Sequence, residues 1–445
     1  MLGRRRGAAS FWPGGLAAGA ALVIGVAAGG ALALPSYRLV FAGLAISPAI
    51  LALLGPELCI SVLLLAAGGA LPFVHAEDVA AGLPVWLIAM GGAAILMLAS
   101  YVTRSIARGP AWPFEPSLLA LASLVTLAYV MERLAASSPF DIPSLTANIA
   151  AFAVLPPIVW LWLSHVSAVE GLRRALPVVA VVLGAWCVVW IAGSTGACSG
   201  CVQAVGSHQE AKGVLGTLRL YTPGETAAGI MVLLALAWLV WRPSVWPAVL
   251  IVLGTTVVIL GGSRAYYFAL GGGALLILAY TFRNVGVLSR LFIVSALVVV
   301  TLAVVTSPIG ARAGSSYQEL RLGSGTGGYR LGLLEQTRPS WSVLGVGSSR
   351  ATLDVGFTAD LGVPNTFLAL GFVGGGLQFL LLGLGLVRGL RSRTAAGVGI
   401  AGVMALVLLS RGSLPMLEAG PSATLIGVLV GAAAALMVPR APPHA

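Results

Sequence analysis

The sequence predicts an all-α polytopic membrane protein of about 12–14 transmembrane helices with one long extracytoplasmic loop, and three observations carry that expectation. Hydrophobic residues make up 58% of the 445, and the mean hydropathy is +1.00, far outside the range of soluble domains. Apolar runs long enough to cross a bilayer follow one another with little more than a turn between them. The exception is the stretch from about Ser307 to Pro364, which carries Arg312, Arg321, Arg330, Arg338 and Arg350 with Glu319, Glu335, Asp354 and Asp360 in a chain only 9% charged.

Cut at charges and Pro/Gly turns, the apolar runs predict spans at 15–34, 38–54, 57–74, 82–101, 116–132, 147–166, 175–193, 223–241, 245–262, 265–282, 291–307, 365–387, 395–410 and 421–438. The first run follows Arg4, Arg5 and Arg6 as a secretory signal would. It is Gly-rich, about twenty residues long and has another apolar run directly behind it, so it is expected to be a retained helix. The turn near Gly55 to Glu57 is the weakest cut, and a re-entrant or broken helix there reduces the count. Four regions follow: N-terminal membrane helices at 1–194, helices with outside arginines at 195–307, the extracytoplasmic loop at 308–364, and C-terminal membrane helices at 365–445.

An amino terminus in the cytoplasm, as Arg4 to Arg6 ask, places both termini inside. The inside turns then hold Arg104, Arg108, Arg173, Arg174, Arg242, Arg283, Arg290, Arg388, Arg391, Arg393 and Arg440. The net charge of +11 is thus spread through short inter-helix turns, where cations set topology, and nucleic acid is not an expected partner. The later outside segments break the pattern at Lys212, Arg219, Arg264, the five loop arginines and Arg411. Long loops translocate whatever their charge, which is the bland account. The functional account is an anionic ligand at the outer face, because a guanidinium grips phosphate in two places and stays charged when partly desolvated.

Arg264 follows Gly261-Gly262-Ser263 at the mouth of an expected helix, where a cation either snorkels or meets a ligand. Arg219 precedes Tyr221-Thr222-Pro223-Gly224-Glu225, a helix start in which Glu225 suits the macrodipole. Helix amino termini beside guanidinium groups make a site for pyrophosphate. Within the long loop, Tyr329 to Arg338 has apolar residues at helical spacing and reads as a helix on the bilayer surface. Pro339 stops it and Trp341 anchors it. Leu344 to Arg350 is a Gly-rich turn. Cys198-Ser199-Gly200-Cys201 falls on the oxidising face and is expected to close a local disulfide, while Cys59 and Cys187 read as packing residues.

The order of these features from about Arg219 to Leu382 resembles the O-antigen ligase and O-antigen polymerase superfamily of bacterial surface-polysaccharide enzymes. The carriers are Arg219 before a Pro-containing helix start, Gly262-Ser263-Arg264 opening a helix, and the long outside loop. That loop runs from Arg330 through Trp341 to Gly345-Val346-Gly347, then Pro364-Asn365-Thr366-Phe367-Leu368 and the Gly-rich Leu370 to Gly376. The resemblance implies a membrane-embedded glycosyltransferase of the C-type fold in the bacterial cytoplasmic (inner) membrane, using no metal and no cofactor. Its donor would be a glycan on a polyprenyl (undecaprenyl) diphosphate. Its acceptor would be a glycan or a lipid, with other polysaccharide-assembly proteins as possible partners. Arg219 and Arg264 would hold the diphosphate. The ligase branch has a His-Asn pair where this chain has Pro364-Asn365, which favours a polymerase or a divergent ligase.

The residues support a compatible chemistry. A diphosphate leaves readily, so the site chiefly needs positive charge where negative charge develops; Arg264 is the expected catalytic cation, with Arg219, Arg330, Arg338, Arg350 and Asn365 as substrate-binding groups. The acceptor hydroxyl needs a general base, and Asp354 or Asp360 is favoured over Glu335 and Glu225. One displacement at the anomeric carbon inverts its configuration. Competing classes are a transporter or flippase of an anionic or lipid-linked substrate, a peptidoglycan-polymerase-like transferase and a noncatalytic scaffold. Charges gathered in outside loops rather than at mid-membrane speak against transport.

Overall fold

A computed structural model describes residues 79–80, 83–108, 116–135, 149–165, 184–198, 200–202, 208–210, 219–221, 224–241, 244–261, 264–282, 325–345, 363–410 and 421–436. The predicted spans 15–34, 38–54, 57–74 and 291–307 lie outside the described residues.

Helices form where the apolar runs are. In order they are α1 (Val85–Arg108), α2 (Pro116–Ala135), α3 (Leu155–His165), α4 (Gly184–Ser194), α5 (Gly224–Trp241), α6 (Val245–Gly261) and α7 (Arg264–Phe282). After them come α8 (Gly325–Thr337), α9 (Val363–Arg391), α10 (Ala395–Ser410) and α11 (Pro421–Leu436). The described residues are otherwise almost free of regular structure except for two short antiparallel ladders, a small departure from the all-α expectation. In one, β1 (Val79–Ala80) pairs with β2 (Leu83–Pro84); in the other, β3 (His208–Glu210) pairs with β4 (Arg219–Tyr221).

α10 is apolar around its whole circumference, so it has no face for water and must be enclosed. It packs against α5, α7 and α9, and Val398, Ile400, Val403, Met404, Leu406 and Val407 are buried. Small residues let the backbones approach: a Cβ on Gly273 of α7 would stand 2.7 Å from the Gly402 carbonyl oxygen of α10. A second group joins α3 to α1 and α11, with α2 and α11 also lying on α9. A π-helical turn at Ala150–Val154 runs into α3 just before Pro156 and Pro157, whose missing N–H groups leave carbonyls of that turn without a helical donor. The Ala151 carbonyl lies against Gly427, and a Cβ on Gly431 would stand 2.6 Å from the Pro156 carbonyl oxygen, so α11 seats its glycines on the irregular stretch.

Hydrogen bonds and close pairings fix the helix directions. Tyr280 near the end of α7 donates to the Leu390 carbonyl near the end of α9 at 2.7 Å, so these two helices run the same way. At that end the α9–α10 turn is built by Thr394, whose hydroxyl accepts from the Gly397 N–H at 3.1 Å as a helix cap. The preceding Arg393 takes the left-handed conformation (φ 54°).

α9 departs most from expectation. The predicted span 365–387 is part of a helix of 29 residues broken at Gly371, whose φ of 70° and ψ of 179° are not helical. Phe367, before the break, stacks on Phe379, after it, with ring centroids 5.6 Å apart. In a straight helix those positions are separated by about 18 Å along the axis, so the first turns are folded against the second half. A Cβ on Gly375 would stand 2.7 Å from the Phe367 ring, which shows how closely the two halves meet.

Candidate functional site at one end of the bundle

The pairings within the bundle bring several predicted residues to one end. A Cβ on Gly229 of α5 would stand 3.2 Å from the Tyr266 ring of α7 and 3.5 Å from Leu406 of α10, so the starts of α5 and α7 lie together beside the end of α10. Gly385 of α9 lies beside Met404, at 3.4 Å on the same measure. Counting along the helices from these pairings at about 1.5 Å per residue, Arg264 stands near the level of Ser410, the last residue of α10, and Gly371 about 12 Å beyond it at the same end.

Arg264 is the first residue of α7, as the glycines before it anticipated. Arg219 begins β4, which rests on α6 and leads through Pro223 into α5. The ladder register sets Glu210 opposite Arg219 and His208 opposite Tyr221, so these four residues share one face of the ladder and Gln209 and Leu220 the other. Glu210 did not stand out in the sequence, because three-residue strands carry no usable alternation. Cys198 and Cys201, joined by a disulfide, close the turn after α4 in the same inter-helix segment. Cys187 is buried within α4.

The long loop reaches the same end. Its described part starts with α8, which contains Arg330, followed by a 3₁₀ turn at Arg338–Ser340. The expected apolar stripe is only partly realised: Leu333 and Thr337 are buried, whereas Tyr329 and Leu331 are exposed. Trp341, expected as a surface anchor, is half-buried and meets the Phe372 ring edge-on at 6.0 Å. Immediately after it, the Ser342 and Val343 carbonyls accept from the Phe372 and Val373 N–H groups, each at 3.2 Å. Those are the first amides of the second half of α9, which lack helical acceptors. Arg338 and Glu335 are both exposed near this junction.

Three helical starts thus direct their positive dipole ends towards the same end: α5, α7 and the second half of α9. Arg219, Arg264 and Arg338 are there too. Asn365 is 4% exposed and sits with buried Thr366 in the first turn of α9, inside the packing rather than open at its surface. Arg350, Asp354 and Asp360 lie outside the described residues, so the structure does not bear on them. The arginines were found in the sequence from their sidedness, but the junction with Gly371 was not. Its only sequence signal is a pair of glycines, Gly345 and Gly371, each within a Gly-rich run.

The chain matches no protein-family model and no curated protein.

Proposed function

We propose that the chain spans the bacterial cytoplasmic membrane and is a metal-independent, inverting glycosyltransferase that polymerises or transfers polyprenyl-diphosphate-linked oligosaccharide at the outer face. The observation that carries the reading is the gathering of Arg219, Arg264 and Arg338 at one end of an apolar bundle, beside the starts of α5 and α7 and the break in α9. Guanidinium groups and helix starts together suit a diphosphate, whose leaving charge they stabilise without a metal.

A membrane setting is supported by apolar side chains standing exposed along the helices, such as Ile95 (68%) and Phe268 (64%), where water would be a poor neighbour. α9 is long and apolar enough to cross a bilayer, and several shorter apolar helices accompany it. The opposite end of the bundle carries Arg388, Arg391 and Arg393, which suits the cytoplasmic side.

In the proposed reaction Arg219 and Arg264 hold the donor diphosphate. The acceptor hydroxyl attacks the anomeric carbon, its proton passes to a carboxylate of the long loop, Asp354 or Asp360, and the bond to the diphosphate oxygen breaks with inversion. The test is the surface-glycan ladder of cells carrying Arg264→Ala, Arg219→Ala or Arg264→Lys at matched protein levels. Each alanine variant is expected to lose about 10²-fold or more in transfer. Accumulation of single lipid-linked repeat units marks a polymerase; full-length polymer left on its carrier marks a ligase. Unchanged glycan in all three variants refutes the arginine site and favours transport or scaffolding.

A further inference from the structure

We propose that Gly345 and Gly371 form a clasp that positions the arginine-bearing loop at the donor end of the bundle, making both glycines positioning residues for transfer. The inference rests on the glycosyl-transfer reading above.

The two glycines occupy each other's missing side-chain space. Gly371 has φ 70° and ψ 179°, a region open almost only to glycine, and Gly345 has φ 80°. A Cβ on Gly371 would run into the Val343 carbonyl oxygen and the Gly345 nitrogen. One on Gly345 would run into the Ala369 carbonyl oxygen and stand 2.5 Å from the Gly371 nitrogen. The obstructing atoms are backbone, so no rotamer change relieves either overlap.

The contact also completes the hydrogen bonding of both partners. The break in α9 leaves the Phe372 and Val373 amides without helical acceptors, and the loop supplies the Ser342 and Val343 carbonyls. The Trp341 ring closes against Phe372 on one side of the joint. Loop and bend therefore hold each other in place, and neither keeps its geometry alone.

The position matters because of what lies on each side. Arg338 is four residues before Ser342 in the chain, and Arg350, Asp354 and Asp360 follow Gly345 within fifteen. Gly371 stands at the same end of the bundle as Arg264, about 15 Å further out along the axis. The clasp therefore fixes where the chain that carries Arg338 meets the end of the bundle that holds Arg264.

The experiment uses the full-length protein in nanodiscs, comparing Gly345→Ala and Gly345→Asn with wild type. Gly376→Ala is the control, since nothing lies within 4 Å of where its Cβ would stand. Amide exchange at Phe372 and Val373 is read beside kcat and KM for a polyprenyl-diphosphate-linked glycan donor. Both Gly345 variants are expected to exchange about tenfold faster or more at those two amides, with the Gly397 amide of the α9–α10 turn still protected. They are expected to lose about 10²-fold in kcat/KM, as misplaced catalytic groups do. Asparagine accepts a positive φ but still carries a Cβ, so it should not rescue.

Unchanged exchange at Phe372 and Val373 overturns the clasp. Faster exchange with the kinetics of Gly376→Ala overturns its positioning role, as does a collapse that also exposes the Gly397 amide. A wild-type protein that binds but never turns over the donor refutes the transfer reading first, and this role with it. In that case the exchange data still show whether the contact exists.

Discussion

Replacing Gly371 by alanine should destabilise the fold, although a helical glycine exchanged for alanine ordinarily stabilises by about 0.5–1 kcal/mol. The reversal comes from three features of the site. Gly371 holds a backbone conformation at φ 70° and ψ 179° that costs other residues about 1–3 kcal/mol. The two hydrogen bonds from Phe372 and Val373 to the loop each contribute about 0.5–1.5 kcal/mol and are lost if the loop is displaced. An alanine Cβ would also press on backbone of the 343–345 segment, which cannot move without giving up those bonds. The expected loss is about 2–6 kcal/mol. The assay is equilibrium unfolding in mild detergent titrated with a denaturing one, followed by tryptophan fluorescence, with Gly376→Ala measured beside it. Gly376 lies on the same helix with open space around its Cβ position, so that variant is expected to be neutral or slightly stabilising. If the two variants unfold together, the bend is not held by the loop and the reasoning fails.

Three further outcomes follow from the same geometry. Met404, fully buried at the centre of the α10 packing, should cost about 2–5 kcal/mol when cut back to alanine, read in the same unfolding assay. Leu344→Cys, at an exposed loop position, should be labelled by a membrane-impermeant maleimide from the outside of intact spheroplasts. Arg391→Cys, exposed at the opposite end, should be labelled only after permeabilisation; the reverse pattern would invert the proposed topology. Replacing Cys198 and Cys201 together by serine should lower stability by about 2 kcal/mol, because the disulfide closes only a short loop, and a reductant should leave the double variant's Tm unchanged while lowering that of wild type.

Much of the bundle was legible from the chain because long apolar runs have few alternatives. The predicted 395–410 span coincides with α10, and 223–241 and 245–262 fall within one residue of α5 and α6 at either end. Arg264 at the first position of α7 was legible too, since a pair of glycines precedes it in the sequence and α6 ends at Gly261. The pairing of β3 with β4 was not, and with it the placement of Glu210 opposite Arg219: a ladder of three residues owes its register to the chain around it rather than to its own pattern. Nor did spacing distinguish Leu333, which is buried, from Leu331, which is exposed, because which side of a short helix faces inward is settled by what packs on it and not by the spacing of its own residues.

The sequence by itself determined that this chain is a set of apolar helices with arginines collected in particular connecting segments. Those properties belong to composition and to the order of runs, and no folded partner is needed to create them. Tertiary structure decided where the helices meet and which glycine bends. Leu370 to Gly376 contains Gly371, Gly374, Gly375 and Gly376, and each glycine permits a break equally well when taken alone. The loop from Ser342 to Gly345 offers its carbonyls to the amides that follow Gly371, and Phe367 folds onto Gly375 and Phe379, so the break falls at Gly371. That choice depends on a hydrogen-bond partner about thirty residues away in the chain, and a local pattern of residues cannot encode it.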